Sequence, residues 1–239
     1  MTVYADLHVH SNASYDGRSS LTELAEAAKA LGLNAIAIAD HDVFTDVSGE
    51  YPVLMIPAME ITTTGGHILG LFLKSAPRFV YGENAAPTPE ETIAEIRRCG
   101  GLAVIAHPFR PQKLTEQELI SLQADGIESE NARSATIDPE TNRKAAQLPA
   151  RFHTGGSDAH CTEELGGCIS RIECDALTLD GLRQAIENGC ITPEFHHACR
   201  WKYKGLSQWQ KRRHAPLPQR VKALTYLTLC VLRDAFTGR

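Results

Sequence analysis

The chain has 239 residues, of which 43% are hydrophobic and 22% charged, and this average composition excludes a disordered or fibrous protein. No run of about 18 apolar residues occurs, so no transmembrane helix is predicted. The net charge of -5 is unevenly divided, since residues 1–199 carry 14 basic and 28 acidic residues, whereas residues 200–239 carry ten basic residues and one acid.

Short apolar strands alternate with capped helices along the chain. Helices are predicted to begin after Ser20, Thr88 and Thr115, each of which opens a capping box with a glutamate three residues later. Two further helices are predicted, one beginning at Asp138-Pro139 and one over Leu179–Asn188. The predicted strands are Val3–Val9, Asn34–Ala39, Pro52–Ile61, His67–Leu73, Leu102–Ala106, Gly126–Glu130 and Phe152–Gly156.

This alternation predicts an α/β fold with a mostly parallel sheet and helices outside it. A barrel fits better than an open sheet, because polar residues follow nearly every strand and the strand ends of a barrel converge at one mouth. We therefore predict a seven-stranded barrel over residues 1–199 and a basic C-terminal extension with a helix over residues 200–239.

Histidines and carboxylates stand at the strand ends. His8 and His10 lie two residues apart on the first strand, so both imidazoles can face one ion. The full set of candidate ligands is His8, His10, Asp16, His41, Glu60, His67, His107, Asp158 and His160. Nine ligands exceed the roughly four to six that one ion takes, which indicates more than one metal, and imidazole with carboxylate suits Zn²⁺, Mn²⁺ or Fe.

These residues belong to short motifs that span most of residues 3–195. The motifs are Asp6-Leu7-His8-Val9-His10-Ser11, Asp16-Gly17, Ala39-Asp40-His41-Asp42, Glu60, His67, Ala106-His107-Pro108 and Gly155-Gly156-Ser157-Asp158-Ala159-His160. In this set the chain resembles the polymerase and histidinol phosphatase (PHP) family. The resemblance implies a distorted seven-stranded barrel that holds three divalent transition-metal ions (Mn, Fe or Zn).

The resemblance also implies how the ligands are shared. One ion would be held by His8, His10, Glu60 and Asp158, a second by Glu60, His67 and His107, and a third by Asp16, His41 and His160. Several phosphoesterases of this family carry an insertion that covers the site. The segment between His107 and Asp158 has no room for one, so a more open site is expected.

The implied activity is hydrolysis of a phosphomonoester or phosphodiester by a hydroxide that the metals activate and that Glu60 and Asp158 hold in place. Arginine suits the bidentate binding of phosphate oxygens, and Arg110 and Arg133 are the candidates. The substrate classes implied are nucleotides, the ends of short oligonucleotides and small phosphorylated metabolites.

Two alternatives remain at this stage. An amidohydrolase-like enzyme also begins with an HxH motif in a barrel, but typically adds a bridging lysine. None of Lys29, Lys74, Lys113 and Lys144 stands at a predicted strand end. The other alternative is a non-catalytic interaction module whose metals only stabilise the fold.

The extension over residues 200–239 has three possible roles. Basic residues interleaved with Trp201, Tyr203 and Trp209 suit single-stranded nucleic acid. The same composition suits an anionic membrane surface, or docking of the extension on the acidic body of the protein itself. The N-terminus lacks a secretory signal and the seven cysteines form no CxxC pair, which predicts a cytoplasmic protein with reduced thiols.

Overall fold

The computed structural model describes residues 1–79, 86–110 and 114–237. Within this part of the chain, nine strands form one sheet in the order β7-β6-β5-β4-β3-β2-β1-β8-β9. The strands are β1 (Thr2–Val9), β2 (Ala35–Ile38), β3 (Leu54–Thr63), β4 (Gly66–Leu71), β5 (Leu102–Ile105), β6 (Gly126–Asn131), β7 (His153–Gly156), β8 (Cys168–Glu173) and β9 (Ile191–Phe195).

The sheet curls into a nearly closed barrel, because the chain after β7 returns to β1. Ala159 forms a parallel bridge with Val9, and the amide of Asp158 donates a 2.8 Å hydrogen bond to the carbonyl of His8. Gly155 of β7 lies so close to the backbone of Ile169 in β8 that a side chain would clash there. The predicted α/β barrel is confirmed.

The sheet differs from the prediction in two details. Strands β8 and β9 bring the number among the described residues to nine instead of seven. Four of the eight neighbouring pairs are antiparallel, namely β1 with β8, β3 with β4, β4 with β5, and β8 with β9. The sheet is therefore mixed and not mostly parallel, because tight connections such as that between β3 and β4 reverse the chain without a crossover helix.

Three of the helices begin at the predicted capping boxes. Ser20, Thr88 and Thr115 each accept a hydrogen bond from the amide three residues on, and all three capping boxes are formed. The helices are α1 (Leu21–Ala30), α2 (Pro89–Arg98), α3 (Glu116–Ser121), α4 (Ala132–Ile137), α5 (Glu140–Ala145), α6 (Leu179–Glu187), α7 (Trp201–Arg212) and α8 (Leu217–Thr237), with one 3-10 turn at Thr162–Glu164.

Alternate residues of the strands separate two layers of the core. In β2, Ala35 and Ala37 pack with buried residues of β1, β3, β4, β5 and β8. Ile36 and Ile38 instead pack with Leu24 and its neighbours on α1. β2 therefore packs its small residues against the other strands and its branched residues against the helical layer.

The C-terminal extension forms a helical hairpin. Asp234 of α8 is buried and accepts hydrogen bonds from the amides of Trp201 (3.0 Å) and Lys202 (2.8 Å) at the start of α7. The single acid of this basic segment thus caps α7 and holds α8 against it. Among the described residues, no helix combines the length and the apolar character that crossing a membrane would require.

Candidate metal centre

All nine predicted ligands converge at one mouth of the barrel. His8 lies at the end of β1 and Glu60 lies within β3, whereas His41 and His107 follow β2 and β5. His67 is near the beginning of β4, yet it reaches the same mouth because β4 runs antiparallel to β3 and pairs Thr62 with His67.

Strand alternation and one irregularity in β1 together set the directions of Glu60, His8 and His10. Glu60 continues the face of Ile56 and Ala58 in β3, which belong to the core cluster shared with β1. In β1 that cluster contains Leu7, so simple alternation would turn His8 away from Glu60. The register of β1 against β2 shifts between Asp6 and Val9, and beyond this irregularity His8 and His10 both contact Glu60.

Glu60 is the centre of the cluster. It is fully buried, and its two carboxylate oxygens lie within 3.4 Å of the ring nitrogens of five histidines. The distances are 3.3 Å to His8 Nε2, 3.4 Å to His10 Nε2, 3.0 Å to His41 Nδ1, 2.8 Å to His67 Nδ1 and 2.9 Å to His107 Nε2.

The remaining carboxylates flank this centre. Asp158 Oδ1 is 3.4 Å from His10 Nε2. Asp16 Oδ2 lies 3.2 Å from His160 Nε2 and 3.6 Å from His41 Nε2. The three ligand groups implied by the family resemblance are therefore each compact in space, and their binding of ions stays a prediction.

Three of the histidines are oriented by an acceptor at Nδ1. His8 Nδ1 lies 2.9 Å from Glu128 Oε1, His107 Nδ1 lies 2.8 Å from the carbonyl of Arg110, and His160 Nδ1 lies 2.9 Å from the carbonyl of Asp158. An acceptor at Nδ1 fixes the proton there and leaves Nε2 free to bind a metal. Glu128 did not emerge from the sequence, because it lies inside a strand and contacts His8 across 120 residues.

Hydrogen bonds satisfy only part of the centre, where Glu60 Oε1 is bonded to His67 and His107. His8 Nε2, both ring nitrogens of His10, His41 Nδ1 and Glu60 Oε2 are buried and make no hydrogen bond, although several lie close to one another. Unpaired buried polar atoms are costly. Convergent imidazole nitrogens and carboxylate oxygens of this kind would be satisfied by divalent transition-metal ions.

The electrostatics of the cluster also favour bound cations. Burial raises the pKa of Glu60, but the nearby charges of His41, His67 and His8 outweigh it and hold the pKa well below its usual range. Burial lowers the pKa of His10 to about 3, helped by repulsion from His160 and His41. Burial also opposes the charge on His41, yet Glu60 and Asp16 raise its pKa to about 9. The carboxylates thus attract positive charge, which a metal can supply in place of protons.

The two candidate arginines have different surroundings. Arg110 contacts Asp158 and donates from Nη1 to Asn131 Oδ1 at 2.9 Å, and its side chain is 19% exposed. Arg133 is buried, forms a bidentate pair with Glu164 at 2.7 and 2.8 Å, and donates to Ser207 Oγ at 2.9 Å. Contact of either residue with a substrate stays a prediction.

We expect Arg133→Met to destabilise the fold by about 3–5 kcal/mol, because it leaves Glu164 buried without its partner. Thermal and urea unfolding would measure the loss. The double variant Arg133→Met/Glu164→Gln should recover part of the lost stability, because it removes the unpaired charge as well. Equal stability of Arg133→Met and the unchanged protein would contradict this structural role.

Gly156 allows β7 to approach β1 beside the cluster. A methyl group at this position would lie 2.5 Å from His8 Cβ and 2.9 Å from Glu128 Oε1. We therefore expect Gly156→Ala to cost about 1–3 kcal/mol of stability and to lower metal affinity by displacing His8. Gly49→Ala is the matched control, because the three atoms nearest to its methyl group all belong to the movable Tyr51 side chain. Calorimetric metal titration and thermal unfolding of both variants would test this, and equal behaviour would refute it.

A pocket of about 610 Å³, partly open to solvent, lies over the cluster. One wall of this pocket comes from α7, which contributes Lys204, Ser207, Gln208 and Lys211. Sequence reasoning expected a more open site and did not assign these residues. Ser207, Gln208 and Lys211 lie three, four and seven residues after Lys204, which places all four on one face of the helix. This spacing was the signal in the sequence that could have identified them.

Tyr15 links α7 to the ligands. Its ring is parallel to that of His41, with centroids 4.9 Å apart and an interplanar angle of 6°. Lys211 Nζ lies 3.2 Å from Tyr15 Oη and 4.4 Å from the centre of its ring. The predicted ligand His41 is thus separated from the C-terminal extension by one aromatic side chain.

The described lysines that were weighed for an amidohydrolase-like bridge lie away from the candidate ligands. Lys29 and Lys144 belong to α1 and α5, and Lys74 follows β4. None of these three is a member of the pocket lining. Lys113 lies outside the described residues.

Two family models match the sequence. The PHP domain matches residues 6–81, and the PHP-associated model matches residues 139–191. An uncharacterized protein of Methanocaldococcus jannaschii is 34% identical in an alignment that covers 54% of this chain and 81% of that protein. A 5'-3' exoribonuclease of Haemophilus influenzae is 40% identical in an alignment that covers 33% of this chain and 32% of the exoribonuclease.

Solved structures share the fold at low sequence identity. A two-domain protein of Bacteroides vulgatus containing a predicted PHP-like metal-dependent phosphoesterase aligns with a TM-score of 0.59 and 20% identity, over 87% of this chain and 69% of that chain. Endonuclease Q in complex with a 27-mer duplex that carries an abasic lesion aligns with a TM-score of 0.56 and 21% identity, over 80% of this chain and 58% of that chain.

Proposed function

This chain belongs to the PHP family, and on that premise we propose that it is a metal-dependent phosphoesterase. The observation that supports this most is the convergence of nine imidazole and carboxylate side chains on one mouth of the barrel. Several buried donor atoms there have no hydrogen-bond partner. Such a cluster at the floor of a pocket is suited to metal-assisted hydrolysis.

We propose that the three ligand groups hold three ions of Mn, Fe or Zn. His8, His10, Glu60 and Asp158 would form the first group, and Glu60 would be shared with His67 and His107 in the second. Asp16, His41 and His160 would form the third. Ions bound there would supply Lewis-acid activation of water and of the phosphoryl oxygens.

The chain's own side chains have distinct tasks in this proposal. Glu60 and Asp158, both held ionised by the charges around them, would keep the ions and the attacking water in place. Arg110 borders the pocket beside Asp158, where its guanidinium can donate to the non-bridging oxygens of the substrate phosphate. Arg133 also lines the pocket and would add positive charge while holding α7 through Ser207.

The proposed substrates are phosphomonoesters or phosphodiesters: nucleotides, short oligonucleotides or small phosphorylated metabolites. The names of the exoribonuclease relative and of endonuclease Q favour a nucleic-acid substrate. The basic extension supports it too, since α7 brings lysines to the pocket. We also propose that the protein works in the cytoplasm, where its seven cysteines would stay reduced.

The test is phosphate release by the Mn²⁺-loaded protein from p-nitrophenyl phosphate, a set of nucleotides, sugar phosphates and short oligonucleotides. We expect turnover of at least one class, and lower turnover for Arg110→Met. A protein that binds transition metal in stoichiometric amounts and hydrolyses none of these compounds would overturn the proposal. The non-catalytic interaction module would then be favoured.

A further inference from the structure

The wall that α7 adds to the pocket carries positive charge without a counter-ion. Arg110 and Arg133 are paired with Asp158 and Glu164. By contrast, none of the described carboxylates forms an ion pair within 4.0 Å of Lys204 or Lys211. These two lysines lie on α7, which is not part of the barrel, and both line the pocket over the ligands.

Lys204 lies over the ring of Trp201 on the same helix. Its Nζ lies 4.8 Å from the centre of the Trp201 ring. Burial, together with the charges of Arg110 and Arg133, lowers the pKa of Lys204 to about 8. A half-buried ammonium group among other cations is unfavourable by itself, and an anion bound in the pocket would relieve it.

A cationic surface continues from Lys204 away from the cluster of candidate ligands. An open groove there shares Lys204 and Gln208 with the pocket. It is bordered further by Arg212, Lys222 and Tyr226 on α7 and α8, and no acidic residue is among its lining. The basic side chains of α7 and α8 therefore extend from the pocket wall along this groove, where Lys204, Arg212 and Lys222 are its charged residues.

We propose that Lys204 and Lys211 form a second anion-binding site, the α7 anion site, which takes a second phosphate group of the substrate. The scissile phosphate would lie over the ligand cluster. This inference rests on the proposed function. The second phosphate could belong to a nucleoside bisphosphate or to the next nucleotide of a short strand, and the chemistry recognised is the same.

The experiment compares three substrates of the Mn²⁺-loaded full chain: p-nitrophenyl phosphate, a nucleoside 3',5'-bisphosphate and a 5'-phosphorylated trinucleotide. Loss of one charge-assisted contact at a partly exposed site corresponds to about tenfold. We expect Lys204→Met and Lys211→Met each to lower kcat/KM about tenfold for the two larger substrates. The loss for p-nitrophenyl phosphate should be at least fivefold smaller, and Lys204→Arg should recover most of the activity.

The controls separate the possible explanations. Lys144→Met removes a lysine of α5 that lies outside the pocket and should change none of the three rates. If Lys222→Met lowers the rate for the trinucleotide alone, the second phosphate comes from the next nucleotide of a nucleic-acid strand. An unchanged rate in Lys222→Met would identify a mononucleotide.

Equal losses on all three substrates, or no loss on any, would overturn the α7 anion site. Absence of turnover in the unchanged protein would instead count against the proposed function. In that case the same variants are compared by calorimetric binding of the bisphosphate and of a nucleoside monophosphate. Tighter binding of the bisphosphate that Lys204→Met abolishes would still support the site, and equal binding would refute it.

Discussion

Replacing Glu60 with glutamine is expected to lower kcat/KM by about 10³-fold and to reduce the metal content of the purified protein. Glu60 is fully buried and contacts the ring nitrogens of five histidines. Each of the other carboxylates of the cluster contacts fewer of the proposed ligands. Glutamine keeps the size of the side chain but removes its charge and one acceptor. Phosphate release and metal analysis of the purified variant would measure both effects.

The matched control for this variant is Glu130→Gln. Glu130 lies near the end of β6, is half-buried and is bonded to Asn142 instead of to a histidine. Its substitution should leave activity and metal content within about twofold of the unchanged protein, as is usual away from the reacting groups. If Glu60→Gln keeps its metal and its rate, Glu60 is not a ligand and the assignment of the shared group is wrong.

Removal of the metals is expected to abolish activity and leave the fold in place. The core clusters of the barrel consist of buried apolar side chains on strands and helices, and they do not depend on the ligands. Ions bound a hundredfold above their dissociation constant would add about 2.7 kcal/mol each. Dialysis against a chelator should therefore lower the melting temperature by several degrees per ion, while circular dichroism at 25 °C stays unchanged.

Restoring Mn²⁺ should recover both the activity and the melting temperature. The Glu60→Gln variant is the control here, since chelation should shift its melting temperature less. Complete unfolding of the metal-free chain would support metals with a purely structural role. Unchanged activity after verified removal of the metals would contradict a metal-dependent enzyme altogether.

Much of the local structure could be predicted from neighbouring residues. The capping boxes at Ser20, Thr88 and Thr115 form as predicted, because both partners of each box lie within four residues of one another. The positions of β1 to β7 follow from short apolar runs. β8 and β9 were missed, since polar residues such as Arg171 and Glu194 interrupt their apolar pattern and face each other across the sheet edge.

Residue type and spacing near strand ends were sufficient to predict the nine candidate ligands and the family. Which of their atoms meet depends on tertiary packing. The shift in β1 turns His8 toward Glu60, Glu128 orients His8 from β6, and α7 brings Lys204 to the pocket. These contacts join residues far apart in the chain, and they depend on strand register and helix packing, which local sequence patterns do not specify.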